Sequence, residues 1–387
     1  MSMDFKVIKI GKAQLRAKSS YERFMISEGV PVIGGFGVSS LQDIPMAPWR
    51  RLGCDGAYFK FFGSDGVTGM YAGRIAPGGA TLPERHLYEK LVYILQGEGV
   101  AEFQQRDRVP QNILWQAGSL FSPPLNTLHR LMNHAEQPAL FLAVTTAPVA
   151  LDHYRNEEFI FHSDFVFSDR YDGQADYFTP SDGRYVAMNH RQWIHHANFI
   201  ADVREIRRQG QDGKGGSVKI TRFEIANNSL IGQLVEWPVG RYRKAHCRGG
   251  GVTLVILRSS GYSLMWPSDL GTQPFKNGVA DQVVRLDWAP GTVFSPPPNW
   301  FHQHFNTGAR PARYLAFRGG STARHWMGRV NLNDVNEKLG GTQIEYEDED
   351  PEIHRIFEGE LARSGATCSM QGIVSGCTGK ARSERSR

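Results

Sequence analysis

Two histidines in this chain sit in near-identical surroundings. Leu120 to Asn133 reads LFSPPLNTLHRLMN and Val293 to Asn306 reads VFSPPPNWFHQHFN, so His129 and His302 each close an F-S-P-P-x-N-x-x-H run and each precede an Asn by four residues. A duplicated segment implies a duplicated structural unit. Imidazole titrates near neutrality and is the commonest metal ligand, so chemistry is expected first at the repeated His. The second copy adds His304, two residues past His302. On a strand, residues i and i+2 share a face, which would aim both imidazoles to one side.

Other chemistries find less support. Gly249-Gly-Gly251 reads as a turn, and no glycine-rich loop follows a strand and opens a helix. Cys247 follows His246 directly and alternates to the other strand face, which argues against a Cys–His nucleophile. The four cysteines (Cys54, Cys247, Cys368, Cys377) have no C-x-x-C spacing, which argues against a structural zinc site and a disulfide framework. His153, His162, His190 and His354 read as surface or structural, and His195-His196 has no ligand spacing.

The elements that would position the repeated His are short strands. The chain has 387 residues, enough for two domains, with 41% apolar residues, 42 glycines and 20 prolines. Runs such as Leu91-Val-Tyr-Ile-Leu, Val100-Ala-Glu-Phe and Ala139-Leu-Phe-Leu-Ala-Val, separated by turns, have the spacing of an antiparallel barrel or sandwich. The repeat extends beyond the His segments: Leu91-Val-Tyr-Ile-Leu-Gln-Gly matches Thr253-Leu-Val-Ile-Leu-Arg-Ser, and Gln137-Pro-Ala matches Arg310-Pro-Ala. The expected organisation is a lead-in over 1–54, a first barrel over 55–150, a connector over 151–216, a second barrel over 217–320 and an extension over 321–387. Ser19-Ser-Tyr-Glu could open a short helix, as could Trp193-Ile-His-His. Pro351 with Ile353, Phe357 and Leu361 predicts a short amphipathic helix before a mobile tail that holds Cys368 and Cys377. The net charge of +5 is scattered, which speaks against nucleic acid. With no leader pattern and no run of about 18 apolar residues, a soluble cytoplasmic protein with no membrane partner is expected.

This order resembles the cupin superfamily, and the duplication resembles a bicupin. Cupin motif 2, roughly G-x5-P-x-G-x2-H-x3-N, fits Gly118 to His129 with Asn133, and again Gly291 to His302 with Asn306; Asn126 stands in place of the second Gly. The resemblance covers about 55–150 and 218–320. It implies an all-β fold: two tandem double-stranded β-helix barrels, with short helices in the N-terminal, connector and C-terminal regions. It also implies a metal at each barrel centre, held by His, His and Glu of motif 1 and the His of motif 2, a set suited to Fe(II), Mn(II) or Ni(II).

Both halves depart from motif 1. In the first, the positions hold Glu84, His86 and Lys90, with Glu89 beside it; in the second, His246, Arg248 and Val252. The first barrel could hold a metal through Glu84, His86 and His129, or through His86, Glu89 and His129. Alternatively a Glu84–Lys90 ion pair occupies the old ligand space. The second, preferred, could hold one through His246, His302 and His304, with Arg248 clamping a substrate carboxylate and His304 and Arg248 as the catalytic residues. Trp115, Trp266, Trp300, Tyr93 and Phe103 read as core.

Three functions remain open. One is a metal-dependent oxidoreductase resembling gentisate-type ring-cleaving dioxygenases, acting on a small carboxylated or aromatic substrate. Another is a non-catalytic bicupin that binds a ligand or serves as a structural subunit, without metal. A cupin lyase, decarboxylase or isomerase is the third. Association into a homo-oligomer is expected in each case.

Overall fold

The computed structural model describes residues 18–379 apart from 65, 180–183, 190–191, 207–209, 212–213, 320–333 and 378. The basic tail after Gly379 and the first residues of the lead-in therefore lie outside the described residues.

Each half builds one large sheet and one small sheet. In the first half the large sheet runs through Cys54–Phe61, Gly69–Ile75, Ala139–Thr145, Lys90–Gln96 and Leu120–Phe121, and the small one joins Leu128–Asn133, Glu98–Gln104 and Gln111–Gln116. The second half repeats the order: Lys219–Ile225, Ile231–Trp237, Ala312–Arg318, Thr253–Arg258 and Val293–Phe294 in the large sheet, and His246–Cys247, Trp300–Asn306, Gly261–Pro267 and Val284–Trp288 in the small one. The repeated motif occupies the same place twice. Gly118 and Gly291 both adopt positive φ, 97° and 92°. Asn126 and Asn299 both adopt a left-handed backbone, φ 57° and 60°. Asn is the residue after Gly that best tolerates this region, so it serves at the motif's second glycine. Asn133 and Asn306 use their amides to hold the turns that follow, donating to the Gln137 and Arg310 carbonyls at 2.9 Å.

The central strands are apolar on both faces because both faces are covered. Along Lys90–Gln96, Val92 and Ile94 pack inside the first barrel, while Leu91 and Tyr93 join a core shared with Phe223, Leu234, Val255 and Leu315 of the second. Ala139–Thr145 alternates the same way, with Phe141 inside and Leu142 in the shared core.

Two short arms cross between the halves. Val32–Gly35 pairs in parallel with the strand Cys54–Phe61, and then Gly37–Val38 pairs with Val293–Phe294 of the second half. Gln192–Ala197 pairs in parallel with Lys219–Ile225, and then Phe199–Ile200 pairs with Leu120–Phe121 of the first half. Trp193 therefore lies in a strand instead of opening a helix, because the ladder to Arg222–Ile225 overrides local preference.

Ser20–Ser27 is a helix closed by a capping box between Ser19 and Glu22. Further helices span Ala147–Tyr154 and Glu157–His162. Pro351–Ser364 is a helix with the Asp350 carboxylate at its N-cap and Gly365 left-handed at its end. Its Ile353, Phe357 and Leu361 bury against Tyr242, Tyr262 and Phe305. The segment beyond it is not the mobile tail expected up to Cys377. Cys368 and Met370 are 3% and 0% exposed in the same core, and Ser369 N donates to the Gly240 carbonyl at 2.8 Å. Among the described residues, no helix is long and apolar enough to cross a membrane.

Candidate functional site

In the first barrel, Glu84 and His129 form a backbone bridge, N to O 2.9 Å in both directions, so their side chains leave on one side. His129 Nδ1 lies 2.9 Å from the Thr127 carbonyl, which assigns the proton to Nδ1 and leaves Nε2 as an acceptor. That acceptor faces Lys90 Nζ at 2.9 Å, and the same ammonium lies 2.5 Å from Glu84 Oε1. Lys90 shares strand parity with Val92 and Ile94, which explains why it points inward. His86 completes the group, its Nδ1 2.8 Å from the Tyr88 carbonyl and its ring stacked at 3.7 Å on Tyr88.

Glu84, His86 and His129 bring ligand atoms within 4.8 Å of one another, but the Lys90 ammonium already takes the lone pairs of two of them. A fixed cation there opposes a second one. Arg51, from the lead-in, adds another, with Nη1 2.8 Å from Glu84 Oε2 and Nε 2.6 Å from Glu28. Burial pushes the Glu84 carboxyl up, but Lys90, His129 and Arg51 outweigh it and hold it well below the usual range. Burial lowers the Lys90 ammonium against the pull of Glu84. As the side chains stand, the Lys90 ammonium bridges Glu84 and His129 where a shared metal would sit.

Glu89 is not available as a ligand. It alternates to the outer face and accepts hydrogen bonds from Ser229 N (2.8 Å), Ser229 Oγ (2.6 Å) and Leu230 N (3.2 Å) of the second half.

In the second barrel, His246 and His302 are cross-strand partners, as Glu84 and His129 are in the first. Their rings lie 4.2 Å apart. His246 Nδ1 faces the Lys244 carbonyl and His302 Nδ1 the Trp300 carbonyl, each at 3.3 Å. Two matching backbone contacts thus leave both Nε2 atoms for whatever enters. His304 shares their strand face, 5.6 Å from His302 between ring centres, with Nδ1 2.8 Å from Ser263 Oγ and the Phe294 and Tyr314 rings beside it. Burial keeps all three imidazoles neutral, and His302 falls to about 3 through burial and the Arg248 charge. Arg248 acts electrostatically on each of them, as does Arg243, while Lys214 acts on His246 and His302. His246 and His302 are two facing neutral donors, and His304 stands further off against Ser263. The surrounding cations fit a metal there only in company with an anion.

The roles of Lys214 and Arg243 are not visible in the motifs. Lys214 is fully buried and paired with Asp334 at 2.8 Å, and Arg243 is 2% exposed against the Tyr314 hydroxyl. Trp115, Trp266, Tyr93 and Phe103 are buried as expected, while Trp300 is half-buried.

One motif at one position in two barrels of one strand order decides the architecture. The fold is that of a bicupin. No family model matches the chain, and no curated protein matches it. Among solved structures, the chain is similar to a mutant of Bacillus subtilis oxalate decarboxylase OxdC, at 13% identity and TM-score 0.47 over 80% of this chain and 83% of that chain. It is also similar to the Lactobacillus farciminis oxalate decarboxylase formate complex, at 13% identity and TM-score 0.46 over 78% and 92%. Likeness at this level does not transmit a reaction.

Proposed function

We propose that this bicupin is a metal-dependent enzyme acting on a small carboxylated substrate, with its live centre in the second barrel and its first barrel closed by an internal lysine. The observation that carries the reading is the His246–His302 pair, with both rings buried, neutral and fixed through Nδ1. His246, His302 and His304 would hold Fe(II), Mn(II) or Ni(II). A metal there would supply Lewis-acid and redox chemistry at its open positions. Arg248 would orient the substrate carboxylate through its planar fork, and the buried Lys214 and Arg243 would favour the anionic form of whatever binds. Ring-cleaving oxygenation and decarboxylation both start from such an arrangement.

The same three cations favour a second reading, a barrel that binds a small carboxylate without metal. Metal analysis and titration calorimetry separate the two. The wild type should take up Fe(II) or Mn(II) anaerobically, His302→Ala should lose that uptake, and His129→Ala should keep it. Carboxylate binding that is equally tight with and without metal would leave the second reading standing and overturn the first.

A further inference from the structure

Behind the second barrel, the C-terminal helix carries His354 and Glu358 at i and i+4, on one face. The segment that follows folds back and brings Cys368 and Cys377 to the same point. The four ligand atoms lie within 4.8 Å of one another. Cys368 Sγ is 3.3 Å from Cys377 Sγ, and His354 Nε2 is 3.3 Å from Glu358 Oε1. Zinc binds sulfur at about 2.3 Å and imidazole nitrogen at about 2.0–2.1 Å, which sets neighbouring tetrahedral ligand atoms roughly 3.3–3.8 Å apart. The observed spacings need little adjustment to meet that.

The orientation of His354 agrees. Tyr242 Oη lies 2.6 Å from Glu349 Oε1 and 3.2 Å from His354 Nδ1. With Glu349 ionised, as it is above about pH 7, the tyrosine donates to it, and the tyrosine oxygen accepts the His354 Nδ1 proton. Nε2 is then a lone pair aimed at the thiols and the carboxylate. Metal-ligating histidines are held through the other ring nitrogen in this way. His354, Glu358 and Cys368 are 7%, 4% and 3% exposed, and Cys377 is half-buried.

We propose that His354, Glu358, Cys368 and Cys377 form a structural zinc site that staples the C-terminal helix and its return segment to the second barrel. Two thiolates and an imidazole select zinc over the oxygen-loving cations, and four protein ligands leave no open position for substrate. The site is separate from the His246–His302–His304 centre and stands whether or not that centre binds metal. Sequence spacing hides it because the ligands read H-x3-E and C-x8-C, with no C-x-x-C pair.

The test uses the full chain, purified untagged under reducing conditions. Elemental analysis should find one zinc per chain. Cys368→Ser/Cys377→Ser should reduce it to none, while His302→Ala keeps it. Should the double variant fail to fold, two measurements remain. Glu358→Gln, which keeps both thiols, should release zinc to a chelator faster than wild type. Wild type reloaded with Co(II) should display a thiolate-to-metal charge-transfer band. Three results would overturn the proposal: no zinc taken up by the reduced protein, zinc kept by the double variant, or a Cys368–Cys377 disulfide detected as resistance of both residues to alkylation until reduction.

Discussion

His129 and His302 hold the same place in the repeated motif, but His129 Nε2 lies 2.9 Å from the Lys90 ammonium whereas the His302 ring lies 4.2 Å from that of His246. One position of one motif thus faces a fixed cation in the first barrel and a second neutral donor in the other. The difference traces to two substitutions, Lys90 at the carboxylate position and Glu84 where the second half has His246.

Lys90 should therefore be a stability residue. Lys90→Met leaves Glu84 buried with Arg51 as its remaining cation, and loss of one partner of a buried pair costs about 3 kcal/mol. Lys90→Met/Glu84→Gln should recover most of that. Guanidinium unfolding of the three proteins checks it. A single variant within about 1 kcal/mol of wild type would mean that the ammonium does not hold the barrel together.

Glu89 should act between the barrels. Its carboxylate accepts two backbone N–H groups and a hydroxyl from Ser229 and Leu230, and one Arg170 nitrogen at 3.3 Å. Glu89→Ala should cost about 2–3 kcal/mol, since charged hydrogen bonds to buried donors are lost together. Hydrogen exchange should localise the effect, with the Ser229 and Leu230 amides losing protection before the strands do.

Glu349 predicts a pH dependence. Burial raises its carboxyl to about 7, against the hydrogen bonds from Tyr242 and Gln303. Between the unfolded value near 4.5 and about 7, the folded state binds the extra proton. Stability from this group is thus fully present below the unfolded value and lost as pH rises through the folded one, by on the order of 3 kcal/mol. Glu349→Gln should flatten that slope and be the more stable protein at pH 8. Thermal melts across this range decide the matter, and an unchanged slope would exonerate Glu349.

Arg248 should govern ligand affinity more than stability. Arg248→Lys keeps the charge and loses the planar fork, so calorimetry with small carboxylates should find binding weakened by about tenfold or more with little change in unfolding. Unaltered affinity would remove Arg248 from the ligand site.

The duplicated motif makes the two barrels legible in the sequence. Alternation along Lys90–Gln96 places Lys90 inward and Glu89 outward, and the structure puts both there. What alternation does not supply is partners from distant segments. Arg51 reaches Glu84 from the lead-in, and Lys214 sits under the second barrel from the connector. Neither belongs to any local pattern. The strand Gln192–Ala197 is hidden for the same reason, because its pairing partner lies on another segment. The Cys368–Cys377 segment reads as mobile because its Ser and Gly content describes local preference, whereas its order comes from Met370 and Cys368 packing on the barrel.

The reciprocal arms have a consequence for dilution. Two separate single-barrel chains that traded such arms would form a swapped dimer, and its population would fall as the protein was diluted. Here Gly37–Val38 and Phe199–Ile200 make the same exchange inside one molecule. The covalent connector fixes the effective concentration of each barrel for the other. The pairing should therefore survive at concentrations where a two-chain version would come apart, and cutting the connector should turn a unimolecular fold into a concentration-dependent assembly.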